Sequence, residues 1–148
     1  MPAWLSILLV MLVLLPALNP KQQEFQWFLK LRRPRWLTFE RWIPLIWLLI
    51  YACFYASALI CWQASRRPDL MAGYLLLLVM VQSYTLVICR SRRLRNGTLI
   101  GLLGWLCGVL LAMPVGSAAP AAGLLLVPYL LWSPVGTWVT WRMEALNP

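Results

Sequence analysis

The 148-residue sequence contains no histidine and only four acidic residues, Glu24, Glu40, Asp69 and Glu144. Without imidazole the chain lacks the side chain that titrates unaided near neutral pH, and with it the commonest haem and metal ligand. No two of the acids lie close together in sequence, so a paired-carboxylate acid–base site has no residues to build it. Charged residues of both signs make up 11% of the chain, against about 25% in soluble domains. The cysteines Cys53, Cys61, Cys89 and Cys107 fall in apolar stretches without CxxC spacing. They read as buried thiols rather than as a disulfide or metal framework. These shortages point away from an enzyme, a metal site or a required cofactor.

Apolar side chains are what the chain has in excess, at 62% of all residues. A domain this small still exposes much of its surface, so one core cannot absorb them. They fall into five blocks with charge-free interiors, residues 2–18, 42–62, 71–89, 98–115 and 121–141. Each is near the ~20 residues that a membrane-spanning helix needs, and helices satisfy their backbone groups internally. The expectation is an all-α membrane protein, one five-transmembrane-helix bundle over residues 1–148, in contact with the lipid bilayer. The first block lacks a basic leader, and Pro16-Ala17-Leu18-Asn19 is a poor cleavage site, so it reads as a retained helix.

The net charge of +9 is concentrated in the connections between blocks. That placement is what membrane orientation requires, and nucleic acid is not expected as a partner. Eleven of the thirteen Lys and Arg residues fall in residues 19–41, 90–97 or after residue 141, on one side of the five-span arrangement; only Arg66 and Arg67 fall on the other. The expected orientation places the N-terminus outside and the C-terminus in the cytoplasm, in a cell membrane of inner or thylakoid type.

Local patterns predict how the helices meet. Gly97-x-x-x-Gly101 and Gly104-x-x-x-Gly108 give the fourth span a face of small residues, for a neighbour within the bundle or for a homodimer seam. Pro128 and Pro134 in the fifth span free the carbonyls of Leu124 and Leu130, predicting a bend with those groups turned toward protein or a polar cavity. Of the ten tryptophans, Trp4, Trp42, Trp62, Trp138 and Trp141 lie at block ends, as interfacial anchors do, while Trp47, Trp105 and Trp132 lie deeper. The loop 19–41 is both aromatic and basic, as an interfacial segment or a lid would be.

The order of spans, the long basic first loop and the tryptophans together resemble the TspO/MBR family of tryptophan-rich sensory and translocator proteins. The family loop pattern W-Y-x-x-L-x-K-P-x-W is met here by Trp27 to Trp36, with Trp27, Pro34 and Trp36 in register, Phe28 for tyrosine and Arg33 for lysine. Trp47 and Tyr51 supply W-x-x-x-Y in the second span. Pro128-Tyr129-Leu130-Leu131-Trp132 matches P-Y-L-x-W in the fifth, and Leu146-Asn147 the closing L-N. In the third span Gln82 is kept, but the family's asparagine and tryptophan positions hold Leu86 and Cys89. Thr140 replaces the fifth-span asparagine, and Thr38 and Phe39 replace paired prolines. The resemblance is to a divergent member.

The resemblance implies a five-helix bundle, commonly dimeric, that binds a porphyrin or another flat hydrophobic ligand in a transport, sensing or regulatory role. Carried over, Trp27, Pro34 and Trp36 close the cavity, and Trp47, Tyr51, Gln82, Tyr129 and Trp132 line it. Arg32, Arg33 and Arg35 are candidate partners for ligand carboxylates, although positive-inside charge also accounts for them. The light-dependent porphyrin breakdown attributed to some members is not carried over, because the third-span tryptophan is missing. Two other roles stay open: a non-catalytic subunit or assembly factor of a larger membrane complex, and a small transporter or channel.

Overall fold

A computed structural model describes residues 2–147, and of Leu15 the backbone only. Every regular element among them is helical: α1 (Ala3–Ala17), α2 (Gln22–Leu29), a single 3-10 turn (Glu40–Trp42), α3 (Ile43–Ser65), α4 (Pro68–Ser91), α5 (Leu94–Ala118), α6 (Pro120–Leu125) and α7 (Val127–Leu146). Prolines mark the starts of four of the seven α-helices described. Pro44, Pro68, Pro120 and Pro128 stand in first turns, where a missing N–H costs nothing. The α3 and α4 helices stop at Arg66 and Arg92, both in the left-handed region with φ of 49° and 53°.

Among the described residues, four helical stretches are long and apolar enough to cross a membrane: Glu40–Ser65, Pro68–Ser91, Leu94–Ala118 and Pro120–Leu146. The last is α6 and α7 joined through Leu126, whose backbone stays in the right-handed helical region ahead of Pro128. The first of the five expected spans falls short of that length. Helix α1 has 15 residues, about 22 Å at the helical rise, against a hydrocarbon core of about 30 Å. The extended Pro2 precedes it, and Asn19-Pro20 follow its end.

The helices pack in a ring. The α1 helix lies on α3 and α4, α3 on α6, α6 and α7 on α5, and α5 on α4. Inside the ring a core of Ile50, Phe54, Leu70, Leu77, Leu111, Val115 and Leu126 is nearly inaccessible. Outside it, Leu48, Leu49, Leu76, Leu103, Leu110, Leu124 and Leu131 are all more than half exposed, which is a surface made for acyl chains. One end is pinned by a polar junction. The Ser57 hydroxyl of α3 donates to the Ala122 carbonyl of α6 at 2.7 Å and accepts from Tyr74 of α4. The opposite end is where the bundle opens.

The glycines of α5 face α7 and the end of α4. A Cβ on Gly108 would stand 2.8 Å from the Tyr129 ring, one on Gly104 would stand 3.1 Å from its hydroxyl, and one on Gly101 would strike Thr137. Gly97 is closed off by Ile88. All four contacts are within the chain. The Leu130 carbonyl, freed by Pro134, accepts a 3.0 Å hydrogen bond from the Trp105 indole, so the deep tryptophan repairs the gap that the proline leaves.

Candidate functional site

A cavity of about 810 Å³ occupies the open end, between α3, α4, α5 and α7, with residues of the 19–41 segment at its mouth. Its walls follow from helical spacing. Trp47 and Tyr51, four apart on α3, present one face, with ring centroids 5.8 Å apart. Tyr129 and Trp132, three apart, present the matching face of α7. Tyr129 is 3% exposed. The bare glycine surface of α5 lets its ring lie against the helix, and the Phe54 ring meets it edge-on at 5.8 Å.

The polar part of the lining comes from a short run in the middle of α4, Gln82, Tyr84 and Thr85, facing Ser133 and Thr140 of α7. Tyr84 hydrogen-bonds Thr140, whose hydroxyl donates to the Gly136 carbonyl at 3.1 Å. Two buried donors have no partner among the described residues: Gln82 Nε2 and Trp132 Nε1. Arg33 and Glu40 are the charged members of the lining, and they pair with each other at 2.9 Å. The interior is therefore aromatic and uncharged, and two of its lining residues carry a buried N–H.

The structure brings together Trp47, Tyr51, Gln82, Tyr129, Trp132 and Arg33, along with Gly101 and Gly104. It does not bring Trp27, Pro34, Trp36, Arg32 or Arg35 into these walls. The reason lies in the first loop, which is partly helical. On α2, Phe25 and Phe28 share a face, stack at 5.8 Å and line the cavity. Trp27 instead borders a second groove and packs on the cluster of Ile88, Leu94, Val139 and Met143. Pro34 is buried. Trp36 is 40% exposed and stacks on Trp138 at 5.0 Å. Arg33 folds back on its own loop, donating to Glu40 and to the carbonyls of Leu29 and Leu31, with its guanidinium over the Phe28 ring. Arg32 lines the second groove, and Arg35 is exposed.

Sequence reasoning passed over Phe25, Tyr84, Ser133, Thr137 and Thr140 as lining residues. A signal for Tyr84 existed. Gln82-Ser83-Tyr84-Thr85 is a polar run inside an apolar span, and such residues turn toward the bundle interior. The four cysteines are unpaired, with Cys61 and Cys89 buried.

The family model described as the TspO/MBR family matches residues 4–146. Among curated proteins, the chain is similar to an uncharacterized membrane protein, YtaB, of Bacillus subtilis, 27% identical over 88% of this chain and 84% of that one. It is 24% identical to the tryptophan-rich protein TspO of Bacillus cereus, over 82% of this chain and 80% of that protein. It is 25% identical to the tryptophan-rich sensory protein of Cereibacter sphaeroides, over 82% and 77% respectively.

Proposed function

Because the chain belongs to the TspO/MBR family, we propose that its open-ended cavity binds a flat hydrophobic ligand of the porphyrin class and that binding serves a sensing or transport role rather than catalysis. One observation carries the reading: Gln82 and Trp132, which line an aromatic cavity of about 810 Å³, each carry a buried N–H with no partner among the described residues. Unsatisfied buried donors are costly, and a ligand acceptor would relieve them. Trp47, Tyr51, Tyr129 and Trp132 offer ring faces and edges for stacking, worth ~0.5–1.5 kcal/mol per aromatic pair. Acidic groups on such a ligand would sit at the mouth near Arg33, where they compete with Glu40. In this reading α1 also crosses the bilayer, through local thinning around it, and the basic loops face the cytoplasm.

Titration of the detergent-solubilised chain with protoporphyrin IX tests this. Saturable quenching of tryptophan fluorescence in the micromolar range is expected. Trp132→Ala should weaken binding by about tenfold, the upper end of one stacking contact, while Trp4→Ala should leave it unchanged. Absence of quenching, or equal affinity in Trp132→Ala, would put the membrane-complex subunit ahead.

A further inference from the structure

A second groove of about 920 Å³ lies at the same end of the bundle, bordered by Arg32, Arg92, Arg93 and Arg95, with Glu144 as the one acidic side chain among its described lining residues. Trp27, Leu31 and Leu94 supply apolar wall between the charges. None of the four guanidinium groups makes an ion pair among the described residues. Membrane orientation accounts for arginines in the α4–α5 connection. It accounts for a charge at Arg32 as well, but not for that residue being fastened beside them from a distant loop. Arg32 is held there by Asn147, whose amide bonds both its N–H, at 2.9 Å, and its carbonyl, at 3.0 Å, while also donating to Met143 on α7. Three chain segments thus converge to set four cations around one hollow, and the clamp fixes the wall without using any guanidinium.

We propose that this groove is a binding site for a phosphate ester, the chemistry common to an anionic phospholipid headgroup and to a small phosphorylated solute. Guanidinium forks match phosphate oxygens in pairs. Basic pockets at the ends of membrane helices collect anionic headgroups in this way. The apolar wall at Trp27, Leu31 and Leu94 gives the carbon side of such an ester a surface to lie on. The groove is separate from the cavity, and its occupant does not depend on what the cavity binds.

The test uses the full chain in an uncharged detergent. In the first arm it is equilibrated with mixed phosphatidylcholine and phosphatidylglycerol, and retained lipid is counted by native mass spectrometry. In the second arm, inorganic pyrophosphate is titrated calorimetrically without lipid. Selective retention of phosphatidylglycerol assigns the site to lipid, and pyrophosphate binding assigns it to a solute. The doubly substituted R93Q/R95Q should lose roughly fivefold in affinity per arginine. R35Q/R142Q, with the same change of charge at residues outside the groove, should retain the wild-type affinity. Glu144→Gln, which removes the opposing charge, should tighten binding and decides the matter if R93Q/R95Q folds poorly. The proposal is overturned if neither probe binds, if both double variants weaken binding equally, or if Glu144→Gln has no effect.

Discussion

Trp105 and Pro134 show how one residue offsets what another costs. A proline within α7 leaves the Leu130 carbonyl without its helical partner, and the Trp105 indole fills the place from α5. Trp105→Phe should therefore destabilise the bundle by about 0.6–1.7 kcal/mol, the range for interhelical hydrogen bonds in lipid. In a Pro134→Ala background the restored N–H can take the carbonyl, so the same change should cost markedly less. Thermal unfolding of the four proteins in detergent would measure that coupling, and strict additivity would contradict it. Arg66 offers a test of opposite sign. Its left-handed backbone (φ 49°) is strained for any residue with a Cβ, so Arg66→Gly should raise stability by about 1 kcal/mol.

Among the elements, the contact between α5 and α6 depends most on a missing side chain. A Cβ on Gly123 would lie 2.9 Å from the Gly116 Cα, a backbone atom that cannot swing aside. Gly123→Ala should cost about 1–3 kcal/mol through overpacking. Gly116→Ala meets nothing within 4 Å, and should gain up to about 1 kcal/mol from helix propensity. Comparable melting shifts for the two would mean that the helices are not in close contact. The helices themselves were legible in the sequence because long apolar runs and prolines are local signals, and α3, α4 and α5 extend about a turn beyond the blocks into polar residues. The cavity was legible only in part. Trp47 with Tyr51 and Tyr129 with Trp132 follow from spacing on helices already located. The loop aromatics did not follow, because which of Phe25, Trp27 and Phe28 faces inward depends on α2 being helical and on where it docks. Likewise Trp36 meets Trp138 through a contact between remote segments, which no local pattern encodes.

For the whole molecule, the asymmetry of eleven basic residues against two sets the expected orientation. With the four native cysteines replaced, a single cysteine at Asn96 should react with an impermeant maleimide only after cells are opened; one at Gln63 should react in intact cells. Labelling in the reverse pattern would invert the bundle. The two ends also differ in how they are held. Ser57 ties α3, α4 and α6 together at one end, while the other is hollowed by the cavity and covered by short, partly exposed segments. Rods pinned at one end and free at the other move least near the pin and most at the tips, in the manner of a set of tongs. Amide exchange should therefore grow faster along α3 from Ser57 toward Ile43, and the width of the opening should vary while the pivot stays fixed.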